Sequence, residues 1–212
     1  PNFSFRTDTA YHIDAIQFGH MLRDKVAIPN GVVHIQDKIV KIEKDNEGYV
    51  GHLELKNGDS LEADLFIDCT GFKSLLLGGA MEEFFEDFSD WLPNTKAITC
   101  HVPYTDKDLE MENVTNCTGW DNGWIWNIPL YNRIGAGYVY DAKYLNKEEA
   151  EKEFKEYLNS DRMKIHNPNR SDDIEKFDHI DIKNGVHHRC WVNNVVGVGL
   201  SYGFIEPLES TG

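Results

Sequence analysis

An α/β fold with an antiparallel insertion, followed by a second and mostly antiparallel sheet, is what this 212-residue sequence predicts. Between Asp14 and Cys69 a helical pattern, a short apolar run, an exposed alternating meander and a second apolar run follow one another. Between Ala97 and Tyr140 four strand-like segments are separated by short connections. Val195 to Gly199 is a third short apolar run and closes on glycine. Buried apolar strands beside a helix mark an α/β layer, whereas short strands joined by turns mark an antiparallel sheet.

Asp14 with Gln17 three residues on reads as a capping-box-like start, and Phe18, Met21 or Leu22, and Val26 recur at helical spacing. Ile28-Pro29-Asn30-Gly31 stops that helix. Val32 to Ile35 reads as a buried strand. Lys38 to Glu43 and Tyr49 to Leu55 form a hairpin around Asp45-Asn46-Glu47-Gly48, and Asn57-Gly58-Asp59 makes the next turn. Leu65 to Cys69 is the second buried strand and runs into Thr70-Gly71-Phe72. The acidic run Glu82 to Asp90, interleaved with Phe84, Phe85 and Phe88, reads as a half-buried amphipathic segment.

Strands are then predicted over Ala97 to Tyr104, Asn113 to Thr118, Trp124 to Leu130 and Ile134 to Tyr140, the last two joined tightly at Tyr131-Asn132. Asn146 and Glu149 cap a helix whose apolar stripe is Ala150, Phe154, Tyr157 and Leu158. Ser160 to Asp178 carries no legible pattern. Asp178 to Lys183 and Val186 to Trp191 flank Asn184-Gly185, the signal of a type I′ hairpin. Val195 to Gly199 is the third buried strand and delivers the loop from Leu200 to Gly212.

Composition narrows the function classes. With 21 basic against 36 acidic residues the net charge is −15, a surface that repels phosphate backbones and anionic membranes. Nucleic acid and membrane are therefore not expected partners. Apolar runs fall short of the ~20 residues a membrane span requires. Four cysteines without a CxxC pair favour neither disulfides nor zinc and suit a reducing, cytoplasmic setting.

Several segments carry candidate chemistry, each with a plain structural alternative. Gly199 at a strand end lets backbone approach a ligand closely, or makes a tight turn. Pro207-Leu208-Glu209-Ser210-Thr211-Gly212 sets a carboxylate beside two hydroxyls and a glycine amide, an anion site or a helix cap. Trp124 and Trp126 share one face of a strand, where core packing is the commoner role of two indoles. Asp68 ends a buried strand, where capping the next turn outweighs meeting a ligand. His187 and His188 point to opposite faces, cannot chelate one metal, and read as surface residues, phosphate-facing at most; no metal site is expected.

Together these segments resemble one family. Trp124-Ile125-Trp126-Asn127-Ile128-Pro129 matches the WxWxIP motif of the flavin-dependent tryptophan halogenases. Tyr11 to Ala15 is similar to the family's YHFDA helix start, and Asp64 to Phe72 to its DLFIDCSGF strand. Gly137 to Tyr140 is similar to its GYVY strand, and Trp191 to Gly212 to its final flavin-side run, closing in EPLESTG. The resemblance implies an FAD-dependent monooxygenase-like fold, a dinucleotide-binding α/β domain carrying a large mixed or antiparallel substrate-side sheet. Residues 1–75 would belong to the FAD-binding domain, 76–190 to the substrate-side sheet, and 191–212 to the return into the FAD-binding domain and the halide loop. The GxGxxG fingerprint, the early lysine segment and the C-terminal helices of the family are absent, so the chain reads as an internal fragment truncated at both ends and inactive alone.

The resemblance further implies the activity: reduced FAD (FADH2) and O2 oxidise chloride or bromide to hypohalous acid. The acid travels through a tunnel to an electron-rich aromatic substrate, tryptophan or another indole. Glu209 would be the acid near the substrate and Ser210 the bridge from the flavin side, with halide held by Thr211 and Gly212. Ile39, Gly199 and Leu200 would contact FAD, and Trp124, Trp126, Ile128 and Pro129 would separate flavin from substrate. A separate flavin reductase would supply FADH2. The rival readings are a related flavin-dependent monooxygenase or oxidoreductase, which would lack the Trp pair and the Glu209–Gly212 segment, and a flavin-binding relative without chemistry.

Overall fold

Asp14 accepts a hydrogen bond from the Gln17 amide and caps α1 (Ala15–Met21). The coil then loosens through a π turn at Leu22–Ala27 and a 3-10 turn at Ile28–Asn30, and stops at Gly31, whose φ of 93° suits glycine. The computed structural model describes residues 10–205.

The expected strand at Val32–Ile35 does not form. That stretch pairs with no strand among the described residues, and Val33 is 81% exposed. An apolar run becomes a buried strand only where a ladder partner and a covering layer are available, and here it has neither.

β1 (Ile39–Lys44) and β2 (Val50–Leu55) make the expected antiparallel hairpin, and β3 (Ser60–Leu61) extends it after Gly58. β4 (Phe66–Asp68) follows, with a 3-10 turn at Gly71–Lys73 and a π turn at Leu75–Ala80. The acidic phenylalanine run contributes the short strand β5 (Phe85–Asp87).

β6 (Asn94–Val102) begins the large sheet. After the single turn α2 (Lys107–Glu110) come β7 (Asn116–Trp120), β8 (Gly123–Pro129) and β9 (Ile134–Asp141), then α3 (Lys147–Leu158) and β10 (Phe177–Asp181). The strand order is β10-β6-β9-β8-β7, all neighbours antiparallel. α3 has the complete capping box that its sequence announces and lays Ala150, Phe154, Tyr157 and Leu158 on one face of the sheet, against Ile98, Ile125 and Tyr138.

The illegible stretch before β10 is held by one buried ion pair. Arg170 Nη2 lies 2.6 Å from Glu110 Oε1, and both side chains are essentially inaccessible. Glu110 also accepts from the backbone amides of Thr105 and Asp106.

Asn184-Gly185 does not make a hairpin. β10 belongs to the large sheet, whereas β11 (Gly185–His187) joins β5 and β14 (Gly203–Phe204) in another. The Asn184 side chain is buried and donates to the carbonyls of Leu92 and Asn94, so it ties the crossover to the start of β6. A Cβ on residue 185 would stand 2.1 Å from Glu86 O, so the glycine answers a close backbone approach rather than a two-residue turn.

β12 (Trp191–Val192) turns back into β13 (Val195–Gly197), which pairs in parallel with β4. The second and third predicted buried strands are thus neighbours, and Phe66, Leu76, Leu77 and Val195 form a second apolar core with Val50 and Leu53.

Candidate functional site

The pleat of β8 divides its side chains. Ile125, Asn127 and Pro129 are buried, the first two on the α3 face, where Asn127 donates to Tyr157 Oη. Trp124, Trp126 and Ile128 point to the other face. The two indole rings are 5.7 Å apart and tilted by 50°. Gly137 on β9 makes room for one of them, because a Cβ there would fall 2.0 Å from Trp126 Cζ2.

Opposite this wall stand three residues from the α/β side. Leu200 comes from the 3-10 turn Gly199–Ser201, which follows β13, and Phe72 from the turn after β4. Phe204 meets Phe72 edge to face at 5.6 Å. The cleft between the two walls has a volume of about 290 Å³, and no charged side chain lines it.

Polar groups hold the Leu200 turn in place. Asp68 is fully buried; its Oδ1 accepts from the amide and hydroxyl of Thr70, and its Oδ2 from the amides of Leu76 and Leu77. Burial alone would raise its pKa, but these hydrogen bonds to the ionised form outweigh it and hold the carboxyl below its usual value. The Asp68 carbonyl accepts from Val198, and Ser74 Oγ donates to Ser201 O at 2.7 Å. Gly199 has φ of 63°, and nothing lies within 4 Å of where its Cβ would be.

Two polar contacts tie the start of α1 to the far end of the β8–β9 hairpin. His12 Nδ1 is 2.8 Å from Pro129 O, and Arg133 Nη1 is 2.6 Å from Asp14 Oδ2. The Arg133 hydrogen bond is the largest influence holding the Asp14 carboxyl below its usual value. Behind the large sheet, burial pushes the Cys100 thiol up to about 12, so it is an inert core residue.

The predicted site residues therefore separate. Trp124, Trp126, Ile128 and Leu200 converge on one cleft, with Gly199 next to Leu200. Pro129 faces the opposite side and contributes its carbonyl to His12. Ile39 is half-buried against the second core and does not line the cleft. Glu209, Ser210, Thr211 and Gly212 lie outside the described residues. His187 is not a surface residue: it is 6% exposed and packs under Phe85, while His188 points outward as expected.

Phe72 and Phe204 line the cleft and are not among the residues the sequence reading singled out. Phe72 was findable from its position in the Thr70-Gly71-Phe72 turn at a strand end; Phe204 carries no local signal.

Trp124 Nε1 is buried and has no acceptor among the described residues. An aromatic, uncharged cleft beside one buried indole N–H that lacks an acceptor suits a planar aromatic group. Among the described residues no group of three His, Cys, Asp or Glu side chains is placed to hold a metal.

An α/β layer whose parallel strands deliver a glycine turn to an aromatic cleft beneath a large antiparallel sheet is an architecture this chain shares with solved flavin-dependent halogenases. The tryptophan halogenase family model matches residues 2–212, and the chain belongs to that family. It is 37% identical over 206 residues to tryptophan 6-halogenase SttH of Streptomyces toxytricini, covering 96% of this chain and 37% of that protein. The solved structure of VirX1 in its apo form superposes with a TM-score of 0.86 at 50% identity, over 94% of this chain and 37% of that one. Tar14, described as a tryptophan C-6 flavin-dependent halogenase from taromycin biosynthesis, gives 0.85 at 39% identity, over 95% and 38%. The chain thus spans a little over a third of the length of the relatives it matches.

Proposed function

We propose that this sequence is the central part of an FADH2-dependent halogenase acting on tryptophan or another electron-rich indole. The observation that carries the reading is the Trp124–Trp126 wall standing opposite Leu200 in an uncharged cleft. The family and its flavin-dependent members support it. Reduced FAD, when bound, supplies with O2 the oxidation of chloride or bromide to hypohalous acid. Gly199 and Leu200 would present backbone and an apolar side chain to the ring, and Ile39 would serve the flavin from β1.

Trp124, Trp126 and Ile128 would exclude water and hold substrate away from the flavin, so that halogen rather than oxygen reaches it; Pro129 would fix the end of that wall. Glu209 would accept a proton from the substrate ring or orient the halogenating species, with Ser210 beside it. Thr211 and Gly212 would hold the halide. The domain division at residues 75 and 190, the separate flavin reductase and a cytoplasmic setting belong to the same proposal. No helix among the described residues is long and apolar enough to cross a membrane.

The test is a full-length protein carrying these residues, supplied with FAD, a flavin reductase, NADH, O2 and bromide against tryptophan and an indole panel. Mass spectrometry is expected to find brominated product, lost in Glu209→Gln. Hydroxylated product, or NADH consumption yielding peroxide alone across the panel, would overturn the reading. Trp126→Ala is expected to lower halogenation about 10-fold or more while NADH oxidation continues, since a misplaced wall uncouples the steps.

A further inference from the structure

The wall of the cleft that faces the two tryptophans is built from two separate turns, and two buried serines join them. Ser74 directly follows the 3-10 turn Gly71–Lys73 that carries Phe72, and Ser201 closes the turn Gly199–Ser201 that carries Leu200. Ser74 Oγ donates to Ser201 O at 2.7 Å, and Ser201 Oγ returns a longer bond of 3.3 Å to Gly71 O. Among the described residues these are the side-chain hydrogen bonds that link the two turns directly. Below them the β4–β13 ladder and the Val198 amide on Asp68 O join the chains through backbone.

Ser74 sits in a conformation that its side chain resists. Its φ of 43° and ψ of 56° fall in the left-handed region, where a Cβ crowds the carbonyl oxygen. Of the three non-glycine residues with positive φ among the described ones, Glu82 and Asn193 are exposed and Ser74 is buried. Glycine or asparagine would adopt these angles more readily. Neither carries a short hydroxyl, which here accepts from the Gly78 amide at 2.9 Å while it donates to Ser201. The strained position is therefore held by a residue whose side chain bonds one turn to the other, and buried outliers of this kind collect where a site must be held in place.

We propose that Ser74 is a positioning residue for the flavin ring. It clasps the Phe72 and Leu200 turns into one body and so sets their distance from the Trp124–Trp126 wall. This role rests on the FAD reading of the cleft and not on halogen transfer. Without the clasp each turn relaxes separately, and a ligand spanning the cleft has two segments to order instead of one.

The test is FAD binding by a full-length protein carrying these residues, parent and variants, read from flavin fluorescence beside thermal denaturation of each apoprotein. Ser74→Gly relieves the backbone while it removes the clasp, so its melting temperature should stay within about 3 °C of the parent's. Its dissociation constant for FAD should nevertheless rise about tenfold, the value of one hydrogen bond. Ser74→Thr keeps the hydroxyl and adds a branch that the left-handed conformation disfavours, so it should melt lower yet hold FAD within about threefold of the parent. Adding FAD to the parent should slow amide exchange at Gly71–Lys73 together with Gly199–Ser201, and in Ser74→Gly the protection at Gly71–Lys73 should be lost. Ser74→Gly binding FAD as the parent does, or affinity that merely follows melting temperature across the variants, would overturn the proposal. A protein that shows this pattern yet yields only hydroxylated product would overturn the halogenase reading and leave the clasp standing; a parent that binds no FAD would overturn both.

Discussion

Asp68 shows how a single side chain positions a site without entering it. Its carboxylate gathers four donors from Thr70, Leu76 and Leu77 and so fixes the turns that carry Phe72 and face Leu200. Folding lowers its pKa, so the ionised form contributes stability that is fully present above the unfolded-state value. That contribution is lost as pH falls through the lower folded-state value. Denaturant unfolding from pH 7 to pH 2 should therefore lose stability in the acid range, and Asp68→Asn should remove this component. The same variant should cost about 2–3 kcal/mol at neutral pH, because an amide nitrogen then faces backbone donors. Gly137 is the matching case on the cleft wall. Gly137→Ala puts a methyl into the Trp126 ring and should lower stability by about 1–3 kcal/mol. The near-ultraviolet circular dichroism of the paired indoles should change with it. The sequence announces Asp68 as a turn cap because the residue ends an apolar run, but it gives no sign that Gly137 makes room for Trp126. That relation exists only once β8 and β9 are in register.

Elements written in local signals were legible, and those that depend on distant partners were not. α3 is specified within its own residues: cap, reciprocal Glu149 and an apolar stripe. Asn146→Ala should accordingly cost about 1 kcal/mol and lower the melting temperature, with Glu149→Ala in the same variant adding little because the two act as one box. The β1–β2 and β8–β9 hairpins were equally readable, since each turn joins strands that pair with each other. Asn184-Gly185 carries the same turn signal, yet its flanking strands go to different sheets, and Asn184 spends its amide on Leu92 and Asn94 instead. Dipeptide preference reports what backbone angles are cheap and not which strands meet. Val32–Ile35 has the composition of a buried strand and no neighbour to bury it, while His187 is buried by Phe85 and Glu83, which lie a hundred residues away in sequence. The cleft divides on the same line: its Trp wall stands in one motif, but Phe204 reaches it only through the return of β14 to β11.

At the scale of the molecule, two apolar cores of unequal strength lie on either side of the cleft, the first behind the sheet that carries the indole wall. The first joins five strands to α3 and buries Tyr138, Phe154, Tyr157 and Ile125 completely; the second rests on the short parallel pair β4–β13 and the π turn after β4. α1 buries none of its residues, and 31–38 has no strand partner among the described residues. Opening free energies follow buried apolar contact and ladder depth, so they should fall in that order. Amide exchange followed by mass spectrometry is expected to give slowest exchange in β6, β8 and β9, intermediate exchange in β4 and β13, and the fastest in α1 and 31–38. The consequence for function lies in the middle rank. Trp124 and Trp126 sit on the rigid core and Leu200 on the weaker one, so a ligand spanning the cleft would order the Leu200 side far more than the indole wall. In a full-length protein carrying these residues, added FAD should therefore slow exchange around Gly199–Phe204 while leaving β8 unchanged. Exchange around Gly199–Phe204 left unchanged by FAD would place the ligand elsewhere than between these walls.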